Sequence, residues 1–281
     1  MKTISIICPL YNASKYIVNL NKKILSQKRV NIKEIKYILT ESKDNTLELL
    51  RENNCDYELI KKDDFSHSLT REKAAMSSTG DVIVFITQDI NPCNNYWLYN
   101  LVKPIFKGEV SACFSRQICQ NDSIEKYTRE KNYPDKSRIV SKDDIEKMGL
   151  NTFFFSDASS AIDRKIFVKL DGYDKKNLPT NEDMYFSYKL IQNNYKIKYC
   201  ANSLVYHSHD FTFKQQYDRY KLVGMFFKQN SYLNNYGTNK SGGDLAKYVL
   251  KRAFRERNIK VIIKFIPNMA ARYIGMRVGR K

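Results

Sequence analysis

Through the first 90 residues, short apolar runs alternate with polar, turn-forming segments and with stretches whose apolar positions follow helical spacing. Thr3 to Cys8 reads as a strand, Pro9-Leu10-Tyr11-Asn12 as a loop, and Ser14 to Ser26 as a helix with Tyr16, Leu20, Ile24 and Leu25 on one side. Ile35 to Leu39 is a second strand. Thr46 to Glu52 is a helix with Asp44 as its N-cap. Tyr57 to Ile60 is a short strand and Ser68 to Ser77 a helix. Val82-Ile83-Val84-Phe85-Ile86 follows the turn Thr79-Gly80-Asp81 and has the continuous apolar character of a strand buried on both faces. This alternation predicts an α/β fold with a right-handed, doubly wound, mostly parallel sheet.

From Asn91 the pattern loosens. Tyr96 to Phe106 reads as a helix and Val110 to Arg116 as a strand. Ile118 to Leu150 is polar and charged, which predicts a mobile flap or a helical insertion. Phe153 to Ile162 begins as strand and ends near Asp163-Arg164, where a helix to Leu170 starts. Asp183 to Asn193 is a helix, Ile197 to Tyr206 a strand, and only helical patterns remain after Phe213. The expected organisation is a sheet-bearing domain over 1–212, in halves 1–90 and 91–212, followed by a basic helical region over 213–281.

A chain of 281 residues with 42% hydrophobic content can bury a substantial core. No apolar stretch approaches the ~20 residues of a membrane span. The run Ile4 to Cys8 stops at Pro9, too short for a signal peptide, so a cytosolic location is expected. The six cysteines include no C-x-x-C pair, which favours reduced thiols over zinc or disulfide frameworks. The net charge of +18 implies anionic partners: nucleic acid, an acidic membrane surface or phosphorylated substrates. From Asp244 onward the chain holds eleven Lys/Arg against two acids. Leu245, Val249, Ala253, Ile262, Phe265 and Ile266 follow helical spacing there. That tail fits an amphipathic helix packed on the domain or at a homodimer contact, a helix on anionic lipid, or a nucleic-acid contact.

The Val82 run ends in Thr87-Gln88-Asp89, so a carboxylate sits just past the strand, where α/β sheets place their ligands. His207 and His209 follow an apolar strand, and residues i and i+2 of an extended chain face one side, so both imidazoles could approach one ion. Glu182-Asp183 opens a helix whose N-terminal dipole favours an ionised carboxylate. These separated acids and the histidine pair suggest a divalent metal and a general base, suited to moving a group off a nucleotide diphosphate. No Ser-His-Asp or Cys-His signature competes.

Six short motifs then stand in order: Ser5 to Asn12, Thr40 to Thr46, Phe65-Ser66-His67-Ser68-Leu69-Thr70-Arg71, Thr87-Gln88-Asp89, Asn181-Glu182-Asp183 and Val205 to His209. With them the chain resembles the family 2 inverting glycosyltransferases of GT-A fold, nearest to rhamnosyltransferase-like members. The resemblance covers roughly Thr3 to Gly224. It implies that Asp89, the last acid of a family Asp-x-Asp whose first position is Thr87 here, binds Mn²⁺ or Mg²⁺ together with His207, and that His209 is a second ligand or a phosphate contact. It implies that Asp183 is the catalytic base and that Glu182 orients the acceptor or caps the helix. Pro9, Tyr11, Arg71 and Gln88 are then expected at the nucleotide sugar, with His67 in the same motif as Arg71. Glu41 stands near the family's base-reading acid, although Leu39 holds the aligned place. Asp157 and Trp97 are acceptor-side candidates, Trp97 with a core position as its alternative. The implied partners are a nucleotide-diphosphate sugar such as dTDP-rhamnose and a saccharide or lipid-linked saccharide acceptor in cell-surface polysaccharide synthesis at the inner membrane face. A nucleic-acid-binding module on a degenerate nucleotide fold is the alternative. A nucleotidyltransferase would need a Gly-rich phosphate loop, and Pro9-Leu10-Tyr11-Asn12 stands in its place.

Overall fold

The buried apolar runs assemble into one sheet in the computed structural model, which describes residues 2–281. Its first half runs β1 (Thr3–Leu10), α1 (Ile17–Leu25), β2 (Asn31–Thr40), α2 (Thr46–Glu52), β3 (Tyr57–Ile60), α3 (His67–Met76) and β4 (Val82–Ile86). The chain continues through β5 (Asn91–Pro92), α4 (Trp97–Phe106), β6 (Ala112–Ile118), α5 (Ile124–Asn132), β7 (Arg138–Val140) and α6 (Ile145–Met148). Next come β8 (Ser159–Asp163), α7 (Arg164–Lys169), α8 (Glu182–Gln192) and β9 (Ile197–Tyr206). Three helices end the chain: α9 (Phe213–Gln229), α10 (Thr238–Arg255) and α11 (Ile259–Arg280).

The strand order is β3-β2-β1-β4-β8-β6-β9-β5, with β7 also on β9. β1, β2, β3 and β4 run parallel, and β6 and β9 are parallel to each other. β8 lies between β4 and β6 and opposes both, so β6 and β9 point the same way as the first four strands. The sheet is therefore mixed but mostly parallel. Both faces are covered: Ile7, Ile83, Phe85 and Phe114 belong to one apolar layer, and Ile6, Val84, Trp97 and Leu101 to the other. Side-chain alternation along each strand divides them in this way.

One expectation of the fold needs correction. The strand expected from Phe153 begins only at Ser159. Phe153 and Phe155 are buried, but from a turn, and the Phe155 ring packs 5.3 Å from that of Phe114. An aromatic run has strand propensity wherever it is buried, so composition alone misplaces the boundary. The polar stretch from Ile118 to Leu150 is a helical insertion carrying α5, β7 and α6. In the tail, Val249 and Ala253 do pack inward, against Ile124 and Tyr127, but Ile266 is 75% exposed. The six cysteines are free, Cys8, Cys113 and Cys200 buried and the others partly exposed.

α11 lies against α9 at glycines. A Cβ added at Gly275 or Gly279 would overlap the main chain at Tyr217 or Lys221, and one at Gly224 would overlap Met276. The missing side chains let the two backbones touch. No helix among the described residues is long and apolar enough to cross a membrane.

Candidate active site

The carboxyl ends of β1, β2 and β4 border a cavity of about 430 Å³. Pro9, Leu10 and Tyr11 form one wall, Thr40, Lys62 and Phe65 another, and His67, Arg71, Thr87 and Gln88 close it. Parallel strands leave such a crevice because their connecting helices lie on the two faces and not over the strand ends. The Gln88 side chain pins the Pro9–Asn12 loop: its carbonyl accepts from the Tyr11 amide at 2.8 Å and its amide donates to the Tyr11 carbonyl at 3.0 Å. Thr40 Oγ1 and Arg71 Nε are buried without a partner in the protein. Buried polar atoms are normally satisfied, so a polar ligand in this cavity would complete them.

Next to Gln88, Asp89 faces two imidazoles. Asp89 Oδ1 lies 3.5 Å from His207 Nε2, and Oδ2 lies 3.6 Å from His209 Nε2. One ligand atom from each of the three residues lies within 4.8 Å of the others. The His207 tautomer follows from its other neighbour. Arg129, which can only donate, points at Gln117 Oε1, and His207 Nδ1 lies 2.8 Å from that same oxygen. Nδ1 therefore carries the proton and donates it to Gln117, leaving the Nε2 lone pair aimed at Asp89. Burial lowers the proton affinity of His207, and burial with the neighbouring imidazole takes His209 down to about 4. At neutral pH one carboxylate and two unprotonated imidazoles thus converge. Electron-rich atoms so placed repel one another, and a divalent cation reverses that repulsion. The donor set suits Mn²⁺ or Mg²⁺, with nitrogen favouring Mn²⁺.

The segment before β8 joins this cluster to the acids of α8. Ser156 accepts from Gln117 Nε2 at 2.8 Å, and the Asp157 amide donates to Asp183 Oδ2 at 3.3 Å. Asp183 therefore stands one short backbone segment from the residue that orients His207. Its other oxygen accepts from the Met184 amide at 2.7 Å. Burial, then the charges of Glu182 and Asp157, push the Asp183 carboxyl well above the ordinary carboxylate range. A carboxylate with raised proton affinity can take a hydroxyl proton.

The model of the glycosyl transferase family 2 matches residues 5–171. The chain is 30% identical to the O-antigen chain rhamnosyltransferase RfbN of Salmonella typhimurium, over 99% of its own length and 89% of the relative's. It is 28% identical to WbaN, an O-antigen chain rhamnosyltransferase of Salmonella anatum, over 100% and 90% of the two chains. The chain belongs to glycosyltransferase family 2. Two solved structures share the fold. The mannosyltransferase PcManGT of Pyrobaculum calidifontis, in complex with GDP-Man and Mn²⁺, superposes with a TM-score of 0.63 at 14% identity, covering 98% of this chain and 85% of that one. TarS 1–349 of S. aureus, in complex with UDP-GlcNAc, gives 0.58 at 16% identity, covering 100% and 90%. The nucleic-acid module kept as an alternative gives way to membership of an enzyme family.

In this glycosyltransferase the expected site residues fall into groups. Pro9, Tyr11, Arg71 and Gln88 line the strand-end cavity, and Asp89, His207 and His209 form the cluster beside it. Glu41 is exposed at the end of β2 and is not among the lining residues; its neighbour Thr40 is. Trp97 is fully buried and donates its indole N–H to Ser115 and Ser159, so it cannot line an acceptor groove. Asp157 is 2% exposed, and its oxygens accept from Ser160 at 2.6 Å and Tyr173 at 2.8 Å. Its backbone amide and its charge both bear on Asp183. Glu182 is also buried, its carboxylate held by Arg71 at 3.1 Å. Thr40 and Phe65 stand within the ordered motifs but were given no role there, and sequence reasoning missed Lys62, Gln117, Arg129 and Arg219. Arg219, on α9, lies over the Phe211 ring, which itself stacks on His209. These last four carry no local pattern; topology alone brings them to the site.

Proposed function

We propose that this enzyme moves rhamnose from dTDP-rhamnose to a growing saccharide on a lipid carrier at the inner face of the cell membrane. The observation that carries the reading is the convergence of Asp89, His207 and His209 beside the strand-end cavity, with Asp183 linked to His207 through Asp157, Ser156 and Gln117. The choice of rhamnose is supported by two relatives aligned over nearly the whole chain, both named O-antigen chain rhamnosyltransferases.

The nucleotide occupies the cavity between Pro9, Tyr11 and Phe65, with Thr40 and Arg71 offering their unpartnered polar atoms. A Mn²⁺ or Mg²⁺ ion held by Asp89, His207 and His209 would neutralise charge on the diphosphate. Asp183 takes the proton of the acceptor hydroxyl as that oxygen bonds to the anomeric carbon. The bond from carbon to the diphosphate oxygen breaks on the opposite face, and its electron pair leaves with the nucleotide. Inversion follows, with no covalent enzyme intermediate. Lys62 and Arg219 add positive charge where the leaving diphosphate gains negative charge.

The test is a transfer assay on purified enzyme with dTDP-rhamnose and Mn²⁺. Release of dTDP supports the reading; release of pyrophosphate, or no donor-dependent product, refutes it. Asp183→Asn should lower turnover by roughly 10²–10⁴-fold while leaving nucleotide binding intact. Normal turnover in that variant removes Asp183 as the base.

A further inference from the structure

α11 has two opposed faces. Val261, Asn268, Arg272, Gly275 and Gly279 point inward and are buried. The glycine contacts with α9 hold the helix in one rotation, because turning it would drive side chains into the α9 backbone. On the outward side Ile259, Ile263, Ile266, Tyr273 and Ile274 are 51–75% exposed. Helical spacing places all five within a sector of about 100°. At 1.5 Å per residue the row runs about 22 Å along the helix. Scattered apolar residues are ordinary on a protein surface, whereas a continuous exposed row marks a contact surface.

Charge decides what that surface meets. Lys260, Lys264 and Arg277 flank the row, and Arg255 and Arg257 stand just before the helix. A second copy docked on this face would set these cations against their like. An anionic lipid surface pairs with them and accepts the isoleucines into its acyl boundary. We propose that the outward face of α11 is an interfacial anchor that lies on an anionic membrane surface. A second cavity, of about 270 Å³, has Lys260 and Lys264 on one side and His209 on another. Anchoring through α11 therefore holds this cavity, and the cluster beside it, at the lipid edge. The inference deepens the reading of a lipid-linked acceptor, but its test uses no sugar.

The full chain is floated with phosphatidylglycerol-containing vesicles and with phosphatidylcholine vesicles. Binding to the anionic vesicles should exceed binding to the neutral ones at least tenfold, roughly the effect of a few juxtamembrane cations. The double variant Ile263→Asp/Ile266→Asp should lose about tenfold or more of that binding while keeping its melting temperature. Arg255→Glu/Arg277→Glu should lower anionic binding and leave the weak neutral binding unchanged. Equal binding to both vesicle types, or wild-type flotation by the isoleucine variant, overturns the anchor. So does a dimer, measured by light scattering, that depends on Ile263 and Ile266 in a chain that does not float. Failure to float with donor binding intact defeats the anchor alone; loss of donor binding with flotation intact defeats the transferase reading alone.

Discussion

Removing either partner of the buried pair Arg71–Glu182 should lower stability, and the two substitutions should move the pH profile in opposite directions. The ions lie 3.1 Å apart with side chains only 5% and 8% exposed. Breaking such a pair from one side costs about 3–5 kcal/mol, because the remaining charge stays buried and uncompensated. At about 2 °C per kcal/mol in a chain of this size, Arg71→Met should lower the melting temperature by about 6–10 °C. Glu182→Gln should cost less, since Arg71 keeps Asp157 and Asp183 as neighbouring negative charges. The pH effect runs through Asp183. Its proton affinity is raised by burial and then by the Glu182 and Asp157 charges, so the acid limb of kcat/KM should lie above the ordinary carboxylate range. Activity requires the ionised form, so the rate falls as pH drops through that limb. Glu182→Gln removes the largest neighbouring negative charge and should move the limb to lower pH. Arg71→Met removes the compensating cation and should move it to higher pH. The assays are thermal unfolding and kcat/KM against pH for both variants. Limbs that shift in the same direction, or an Arg71→Met variant more stable than Glu182→Gln, would refute this electrostatic reasoning.

Gln117→Leu should weaken Mn²⁺ binding about 10–100-fold by calorimetry, because His207 loses the acceptor that fixes its tautomer; unchanged affinity would show that Gln117 does not set it. Gly279→Leu should force α11 off α9 and destabilise the protein by at least about 1–3 kcal/mol, read as a lower melting temperature. An unchanged melting temperature would mean that the two helices do not need their close approach.

Much of the fold is written in local pattern. The alternation from β1 to β4 was legible because β1, β4 and the end of β2 are short apolar runs buried on both faces, bounded by turn residues. The second half was less so. Phe153 to Phe155 has the composition of a strand, yet it packs its rings from a turn, and the two-residue β5 carries no periodicity at all. The tail was read as amphipathic, but Ile266 turned outward, because the glycines of α11 decide which side faces α9. At the site, Asp89, His207, His209 and Asp183 were legible because acids and histidines at element ends stand out. Trp97 takes its core alternative, and with Asp157 and Glu182 it shows that a polar or aromatic residue near a site can belong to its buried support. Gln117 and Arg129 orient His207 from β6 and α5, and only the tertiary structure places them there.

The most direct measurement is a Mn²⁺ titration of the full chain with a nucleoside diphosphate present, followed by the electron-spin resonance of the free ion. One ion should bind per chain in the wild type, and Asp89→Asn and His207→Ala should each abolish that binding while the chain stays folded. Stoichiometric Mn²⁺ binding that survives both substitutions would place the ion elsewhere and contradict the account.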